Sequence, residues 1–254
     1  MAQPLRLYGL KSIVTGAASS IGEAIARTLL KQGAEVVAVD APDSRIDVVF
    51  RRLNGVHPLA LDPDTPTMAA KLTQTALDEM GGLDILVNDY APLVDALPTD
   101  AGEAERSRQL EKKRRLIADT SQAVLPLLKQ SPAGRIVNIG CLRSSFGANG
   151  ATEYAASRNA LADLTASQAR DWGTFGITVN YVQPGAIMTA ASRPVFEADR
   201  AFRDQCIANS AARRLGEPLD VAKVVLFLAT DDAVFVSGTG IVVDGGVVTG
   251  AGGN

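Results

Sequence analysis

A tyrosine and an arginine, Tyr154 and Arg158, stand four residues apart in a stretch with the pattern of an amphipathic helix. Residues at this spacing share one face of a helix, so their side chains can act together. A phenol has a pKa of about 10, and it exchanges protons near neutral pH only where positive charge lowers that pKa. Arg158 supplies such a charge without itself releasing a proton. The pair predicts a tyrosine acid/base; a surface Tyr–Arg contact is the alternative.

A second candidate site is the loop between an apolar run and a helical pattern at residues 15–22. A strand, small residues and a helix N-terminus together present free backbone N–H groups to an anion. Glycine there lets a pyrophosphate approach the backbone closely. The G-x-G-x-x-G pattern is absent, and a plain strand–helix connection is the alternative. The candidate phosphate-binding residues are Gly16, Ser19, Ser20, Ile21 and Gly22.

Asp40 ends the second apolar run, about 24 residues after Gly16. A carboxylate at this place can accept hydrogen bonds from both hydroxyls of an adenosine ribose, and it would repel the extra phosphate of NADP. The alternative is an ordinary aspartate that ends a strand and starts a turn with Pro42. Together with the loop, Asp40 predicts a dinucleotide site that takes NAD(H) in preference to NADP(H).

The elements that must position these residues are short apolar runs alternating with helical patterns along the whole chain. Such runs predict a parallel sheet covered by helices on both faces. We therefore expect an α/β fold: a single doubly wound (Rossmann-type) domain over residues 1–254, with seven parallel strands and a polar, helix-prone flap at roughly 190–213. The strand candidates are residues 10–14, 35–39, 57–61, 83–87, 135–139, 177–182 and 240–243, and the main helical patterns are 22–31, 67–80, 101–129, 152–172 and 219–228.

Composition excludes several classes of protein. The net charge of −3 and pI of about 5.3 argue against nucleic acid as a partner. One histidine and two cysteines form neither a disulfide framework nor a zinc site of the usual ligands, so no metal is expected. No apolar run is long enough to span a bilayer, and no secretory signal is visible. We expect a cytoplasmic protein that acts on a small molecule and contacts no membrane.

Seven motifs in order show that the chain resembles the short-chain dehydrogenase/reductase family over almost its whole length. The family's T-G-x-x-x-G-x-G and Y-x-x-x-K patterns are met with two changes, Ser20 for the middle glycine and Arg158 for the lysine. The N-N-A-G motif survives only as residues 88–91, with Tyr90 in its third place. The remaining motifs match as Asp62 after the third strand, Pro184-Gly185-Ala186-Ile187-Met188-Thr189, Arg214-Leu215-Gly216-Glu217-Pro218 and Val243-Asp244-Gly245-Gly246.

The resemblance implies roles for these residues. Tyr154 would be the acid/base, and Arg158 would lower its pKa and bind the nicotinamide ribose in place of lysine. Cys141, thirteen residues before Tyr154, occupies the place of the serine that holds the substrate oxygen, with Ser144 and Ser145 nearby. The family's catalytic asparagine falls on Lys113, in a basic run that is otherwise expected to be a solvated helix face. Further cofactor contacts would come from Asp62, Asn88, Pro184, Gly185, Ile187 and Thr189.

The function expected first is an NAD-dependent oxidoreductase that transfers hydride between nicotinamide and the carbonyl or alcohol carbon of a small substrate. The changes at the catalytic positions leave two alternatives: a non-catalytic NAD-binding pseudo-enzyme, and a lyase similar to halohydrin dehalogenases, which have a Ser-Tyr-Arg triad. The intact cofactor motifs argue against the lyase. The family further implies a homotetramer or homodimer formed through the helices around residues 101–130 and 152–172.

Overall fold

The computed structural model describes residues 5–90, 103–140 and 151–247, and it describes their side chains except at 103, 106 and 151–158. Within these ranges seven parallel strands form one sheet in the order β3-β2-β1-β4-β5-β6-β7. The strand order reverses between β1 and β4, where α/β sheets of this type bind ligands. The strands are β1 Lys11–Thr15, β2 Glu35–Asp40, β3 Val56–Ala60, β4 Ile85–Asn88, β5 Arg135–Ile139, β6 Thr178–Pro184 and β7 Gly240–Val243.

Helices follow the strands and cover both faces of the sheet. The α-helices are α1 Ser20–Lys31, α2 Ile46–Val49, α3 Met68–Thr75, α4 Glu103–Leu128, α5 Ala151–Trp172, α6 Arg193–Ala198, α7 Arg200–Asn209 and α8 Pro218–Ala229. Successive side chains of a strand point to opposite faces, so Val14 packs with α1 and α8 while Ile13 packs with α3, α4 and α5. Two apolar clusters therefore enclose the sheet, and the predicted α/β fold class is confirmed.

Several elements begin or end differently from the sequence pattern. The helical pattern at 67–80 is an α-helix only to Thr75 and continues as a π-helical turn, Ala76–Met80. Strand β6 runs two residues beyond its apolar stretch, through Pro184, because backbone pairing with β7 continues to Val243. The predicted flap contains α6 and α7, joined by stacking of Phe196 on Phe202 at 5.9 Å between ring centroids. That this segment acts as a flap remains a prediction.

A search of the described residues finds no helix that combines the length and the apolar character needed to cross a membrane.

Candidate cofactor and catalytic site

The loop after β1 packs tightly against the end of β4. Gly16 has a φ of +62°, in the left-handed region that disfavours side chains, and a Cβ there would overlap the carbonyl oxygen of Asp89. A Cβ on Gly22 would overlap the carbonyl oxygen of Gly16 and lie 2.9 Å from the Cα of Ala17. Both glycines are thus required by the close approach of backbone to backbone at the point where the strand order reverses.

The N-terminus of α1 offers backbone donors at this point. The Ser19 hydroxyl caps the helix by accepting from the Gly22 N–H at 2.9 Å. The N–H groups of Ser20 and Ile21 have no acceptor among the residues that the structure describes. Two free donors at the positive end of a twelve-residue helix fit the pyrophosphate of a dinucleotide.

Asp40 has a local task at the end of β2. Its Oδ2 accepts from the Ala18 N–H at 2.8 Å, and its Oδ1 accepts from the Ala41 N–H at 2.7 Å. Burial raises the pKa of Asp40, although these two hydrogen bonds oppose the shift. The carboxylate therefore holds the glycine loop to the end of β2, a role that does not need a ribose.

Asn88 ends β4 and Asp62 follows β3, two strands separated in the sheet by β2 and β1, and their surroundings differ. Asn88 is fully buried, and its Nδ2 donates to Ser121 Oγ at 3.0 Å and to Asn138 Oδ1 at 2.9 Å. Its amide thereby ties β4 to β5 and to α4. Asp62 is exposed, and its Oδ1 accepts from the Asp64 N–H at 2.9 Å. Both remain predicted cofactor contacts, Asp62 from the surface and Asn88 from within the sheet.

The segment after β6 forms the other side of the crevice. The Ala190 N–H donates to Ser20 Oγ at 2.9 Å, so the residue that replaces the middle glycine of the family motif contacts the start of the 190–213 segment. Thr189 and Ser192 bond each other through backbone N–H and hydroxyl groups, at 2.8 and 3.0 Å. The structure thus brings Ser20 and Thr189 to one place, as the motifs predict.

Pro184, Gly185 and Ile187 hold this segment against the rest of the sheet. The Gly185 N–H donates to the Val243 carbonyl at 2.8 Å, and a Cβ on Gly185 would press on Asp244. The side chain of Ile187 is buried in the core. Its N–H finds no acceptor within the described part of the chain, which leaves that donor for a carboxamide.

Tyr90, in the altered N-N-A-G motif, points into the core rather than into the crevice. Its hydroxyl lies 2.8 Å from Thr120 Oγ1 of α4, and the side chain is buried. Burial raises the pKa of Tyr90 to about 12. The phenol therefore stays protonated at neutral pH, and it is not a second acid/base.

We expect Tyr90→Phe to lower the free energy of unfolding by about 1–2 kcal/mol, because it removes a buried hydrogen bond to Thr120. Urea denaturation of the purified variant measures this. Tyr8→Phe is the matched control, since Tyr8 is largely exposed and its change should stay within about 0.5 kcal/mol. Equal stability of the two variants would show that the Tyr90–Thr120 bond contributes nothing.

The basic run 112–115 is not a uniformly solvated face, and for Lys113 that prediction is wrong. Lys112 pairs with Asp64 at 2.7 Å and Arg114 with Glu111 at 2.6 Å, both near the surface. Lys113 is only 5 % exposed, because it lies on the stripe of α4 that packs on the sheet, one helical turn from Leu116 and Ile117. The position equivalent to the family asparagine therefore carries a buried lysine.

The backbone of α5 carries positions 154 and 158. Further along the same helix Leu161 and Thr165 are buried, and the Thr165 hydroxyl accepts from Asn138 Nδ2 of β5 at 3.3 Å. Positions 158 and 154 precede them at helical spacing, toward the carboxyl edge of the sheet. Cys141, with Ser144 and Ser145, lies outside the described residues, and the catalytic roles of Cys141, Tyr154 and Arg158 remain predictions.

Comparison with known proteins places this fold and site in one family. A family model described as enoyl-(acyl carrier protein) reductase matches residues 16–248. The 3-oxoacyl-[acyl-carrier-protein] reductase of Vibrio cholerae is 34% identical over 245 residues, covering 96% of this chain and 99% of the relative. The enzymes of the same name from Thermotoga maritima and Escherichia coli are 30% and 32% identical, again over 96% of this chain and 100% and 99% of theirs.

The chain therefore belongs to the short-chain dehydrogenase/reductase family, and it is an oxidoreductase that transfers hydride. The predicted preference for NAD(H) over NADP(H) is wrong, because the relatives belong to an NADPH-dependent class of reductase. In the structure the two oxygens of Asp40 accept hydrogen bonds from the N–H groups of Ala18 and Ala41.

Two residues of the site were missed by reasoning from motifs. Asp89 is 1 % exposed, its N–H donates to Thr15 Oγ1 at 3.0 Å, and its Oδ2 accepts from the Ser19 hydroxyl at 3.1 Å. Gln183 is 2 % exposed at the end of β6. A signal for both was present at a strand end, since Asp89 is the second residue of the altered N-N-A-G motif and Gln183 directly precedes the Pro184-Gly185 motif.

Proposed function

We propose that this oxidoreductase reduces the keto group of a 3-oxoacyl thioester to a hydroxyl group, with Tyr154 as proton donor. The observation that carries the proposal is the near full-length similarity to 3-oxoacyl-[acyl-carrier-protein] reductases, which leaves no domain of those relatives unmatched. The description of the family model names enoyl reduction instead. A tyrosine that protonates an alkoxide suits a carbonyl oxygen and favours the keto substrate.

A bound nicotinamide dinucleotide supplies the hydride that adds to the carbonyl carbon. The chain's part is to bind and orient that group: the N–H groups of Ser20 and Ile21 would receive the pyrophosphate, and the Ile187 N–H would receive the carboxamide. The hydrogen bond from Ala190 to Ser20 closes the crevice on the same side. These donors are in place before the cofactor arrives, so little ordering is needed on binding.

Tyr154 completes the reaction by giving its phenolic proton to the substrate oxygen as the carbonyl π pair moves onto that oxygen. The product is an alcohol, and the tyrosinate regains its proton from water. Arg158, four residues along α5, stabilises the tyrosinate by its positive charge. Since arginine releases no proton at neutral pH, the solvent rather than Arg158 must reprotonate Tyr154.

The test is a steady-state assay that follows the absorbance of reduced nicotinamide. Acetoacetyl thioester, with a keto group, is compared with crotonyl thioester, which has only the carbon–carbon double bond, and each is offered with NADPH and with NADH. We expect turnover of the acetoacetyl thioester with NADPH. Turnover of the crotonyl thioester alone would assign the protein to enoyl reduction. Cofactor binding without turnover of either would favour a non-catalytic binder.

A cytoplasmic location and a homodimer or homotetramer belong to the same proposal. The acidic pI and the small number of cysteines support the location. The oligomeric state can be measured by sedimentation equilibrium on the purified chain.

A further inference from the structure

Gln183 is a buried polar residue at the carboxyl edge of the sheet, and no motif explains it. It is the sixth residue of β6, its Cα pairs with Val242 of β7, and it is 2 % exposed. A buried amide loses hydration, which costs free energy unless the amide makes hydrogen bonds. All residues of β6 are buried, the polar Thr178 and Asn180 among them, and Gln183 is the polar residue nearest the carboxyl end of the strand.

The side chain of Gln183 lies directly over Gly140, the residue that follows β5. A Cβ on Gly140 would overlap the Gln183 Oε1 and would lie 2.7 Å from its Cδ and 3.0 Å from its Nε2. The Gly140 N–H donates to the Val182 carbonyl at 2.8 Å, which holds the ends of β5 and β6 together. The Gln183 amide thus occupies the space that a Cβ at position 140 would need. Gly140 directly precedes position 141 in the chain.

The amide also lies on the face of the sheet that α5 covers. Tyr181, two residues earlier on β6, packs in the apolar cluster with Leu161 and Trp172 of α5. Side chains two apart on a strand share a face, so Gln183 faces the same side. From Thr165, which bonds Asn138 on that face, positions 158 and 154 lie about 10 and about 16 Å along the helix toward the carboxyl edge.

The chemistry at this edge calls for a hydrogen-bond donor. Carbonyl reduction places negative charge on the substrate oxygen, and a thiol such as that of Cys141 is a weaker donor than the hydroxyl of a serine. A side-chain amide is an effective donor to such an oxygen in other enzymes. An amide nitrogen carries two hydrogens, so an amide can bond within a protein and donate to a ligand at the same time.

We propose that the Gln183 amide donates a hydrogen bond to the substrate carbonyl oxygen, the task that a serine performs in the family. The inference rests on the proposed carbonyl reduction. Gly140 would then be required because only a residue without a Cβ lets the amide lie at the end of β5. Gln183 becomes a catalytic residue, and Cys141 a small neighbour.

The experiment compares Gln183→Met, which keeps the shape and removes the donor, with Gln183→Glu, which replaces the donor by a negative oxygen. For acetoacetyl thioester reduction we expect kcat to fall by about 100- to 1,000-fold in Gln183→Met and further in Gln183→Glu. The KM for reduced cofactor should stay within about twofold, since the lost hydrogen bond is to the substrate oxygen and not to the cofactor. Gln168→Met, at a buried glutamine further along α5, is the matched control and should retain kcat.

Two further readouts separate the donor role from a structural one. The dissociation constant of acetoacetyl thioester from the complex with oxidised cofactor, measured by isothermal titration calorimetry, should rise on the order of tenfold in Gln183→Met. Adding Cys141→Ser to Gln183→Met should recover most of the lost kcat. A Gln183→Met variant with wild-type kcat and thioester affinity would overturn the inference and leave the proposed function standing. Failure of the wild-type protein to bind the thioester would reject both.

Discussion

Replacing Tyr154 with phenylalanine is expected to lower kcat for reduction of acetoacetyl thioester by at least about a thousandfold. The change removes only the phenolic O–H, and general acid catalysis contributes about 100- to 10,000-fold to such reactions. Neither Tyr90 nor Arg158 can take over, because burial raises the pKa of Tyr90 to about 12 and Arg158 keeps its proton at neutral pH. The affinity for reduced cofactor, measured by fluorescence titration, should be nearly unchanged.

Tyr8→Phe is the control for that experiment, because Tyr8 is exposed on the N-terminal segment before β1. Its kcat should equal that of the wild-type protein. If Tyr154→Phe turned over substrate as fast as Tyr8→Phe, the tyrosine would have no part in proton transfer, and the mechanism proposed for α5 would be wrong.

The second large effect is expected from Gly22→Ala, a change in the first turn of α1. A Cβ at this position would overlap the Gly16 carbonyl oxygen and lie 2.8 Å from the Gly16 carbonyl carbon. Both atoms belong to the backbone, so the loop must shift, and we expect the free energy of unfolding to fall by about 2–4 kcal/mol. Because the displaced loop carries the donors of Ser20 and Ile21, reduced-cofactor affinity should fall at least about tenfold.

Gly173→Ala is the matched control, since nothing lies within 4 Å of a Cβ built at Gly173. Urea denaturation and cofactor titration of the two variants measure both effects. A Gly22→Ala protein as stable as Gly173→Ala would mean that the loop adapts at little cost and does not constrain the phosphate site.

Local pattern was enough to predict the sheet and the loop. Strands β5 and β7 begin and end where the strand-type runs of the sequence do. The glycine loop was predicted from equally local features, small residues between a strand and a helix N-terminus, and the structure adds that Gly16 has a left-handed φ.

The interpretation of charged side chains was less successful, because it depends on partners distant in sequence. The position of Asp40 predicts a ribose ligand, but only the structure shows that its oxygens accept hydrogen bonds from the N–H groups of Ala18 and Ala41. The charge pattern predicts that Lys113 is solvated like the rest of the run 112–115. The rotation of α4 about its axis determines which residue of that run faces the sheet, and this residue is Lys113. Helical periodicity shows which residues share a face, but it does not show how far that face extends into the core.

By itself the sequence determined the alternation of strands and helices, the order of the motifs and the family to which the chain belongs. These follow from short-range preferences and from residue types at set spacings. Only the tertiary structure decided what the polar residues of the crevice contact. Ser20 reaches Ala190, 170 residues away, and Gln183 lies over Gly140. Such contacts arise when parallel strands bring their carboxyl ends to one edge, and their geometry depends on the packing of the whole sheet.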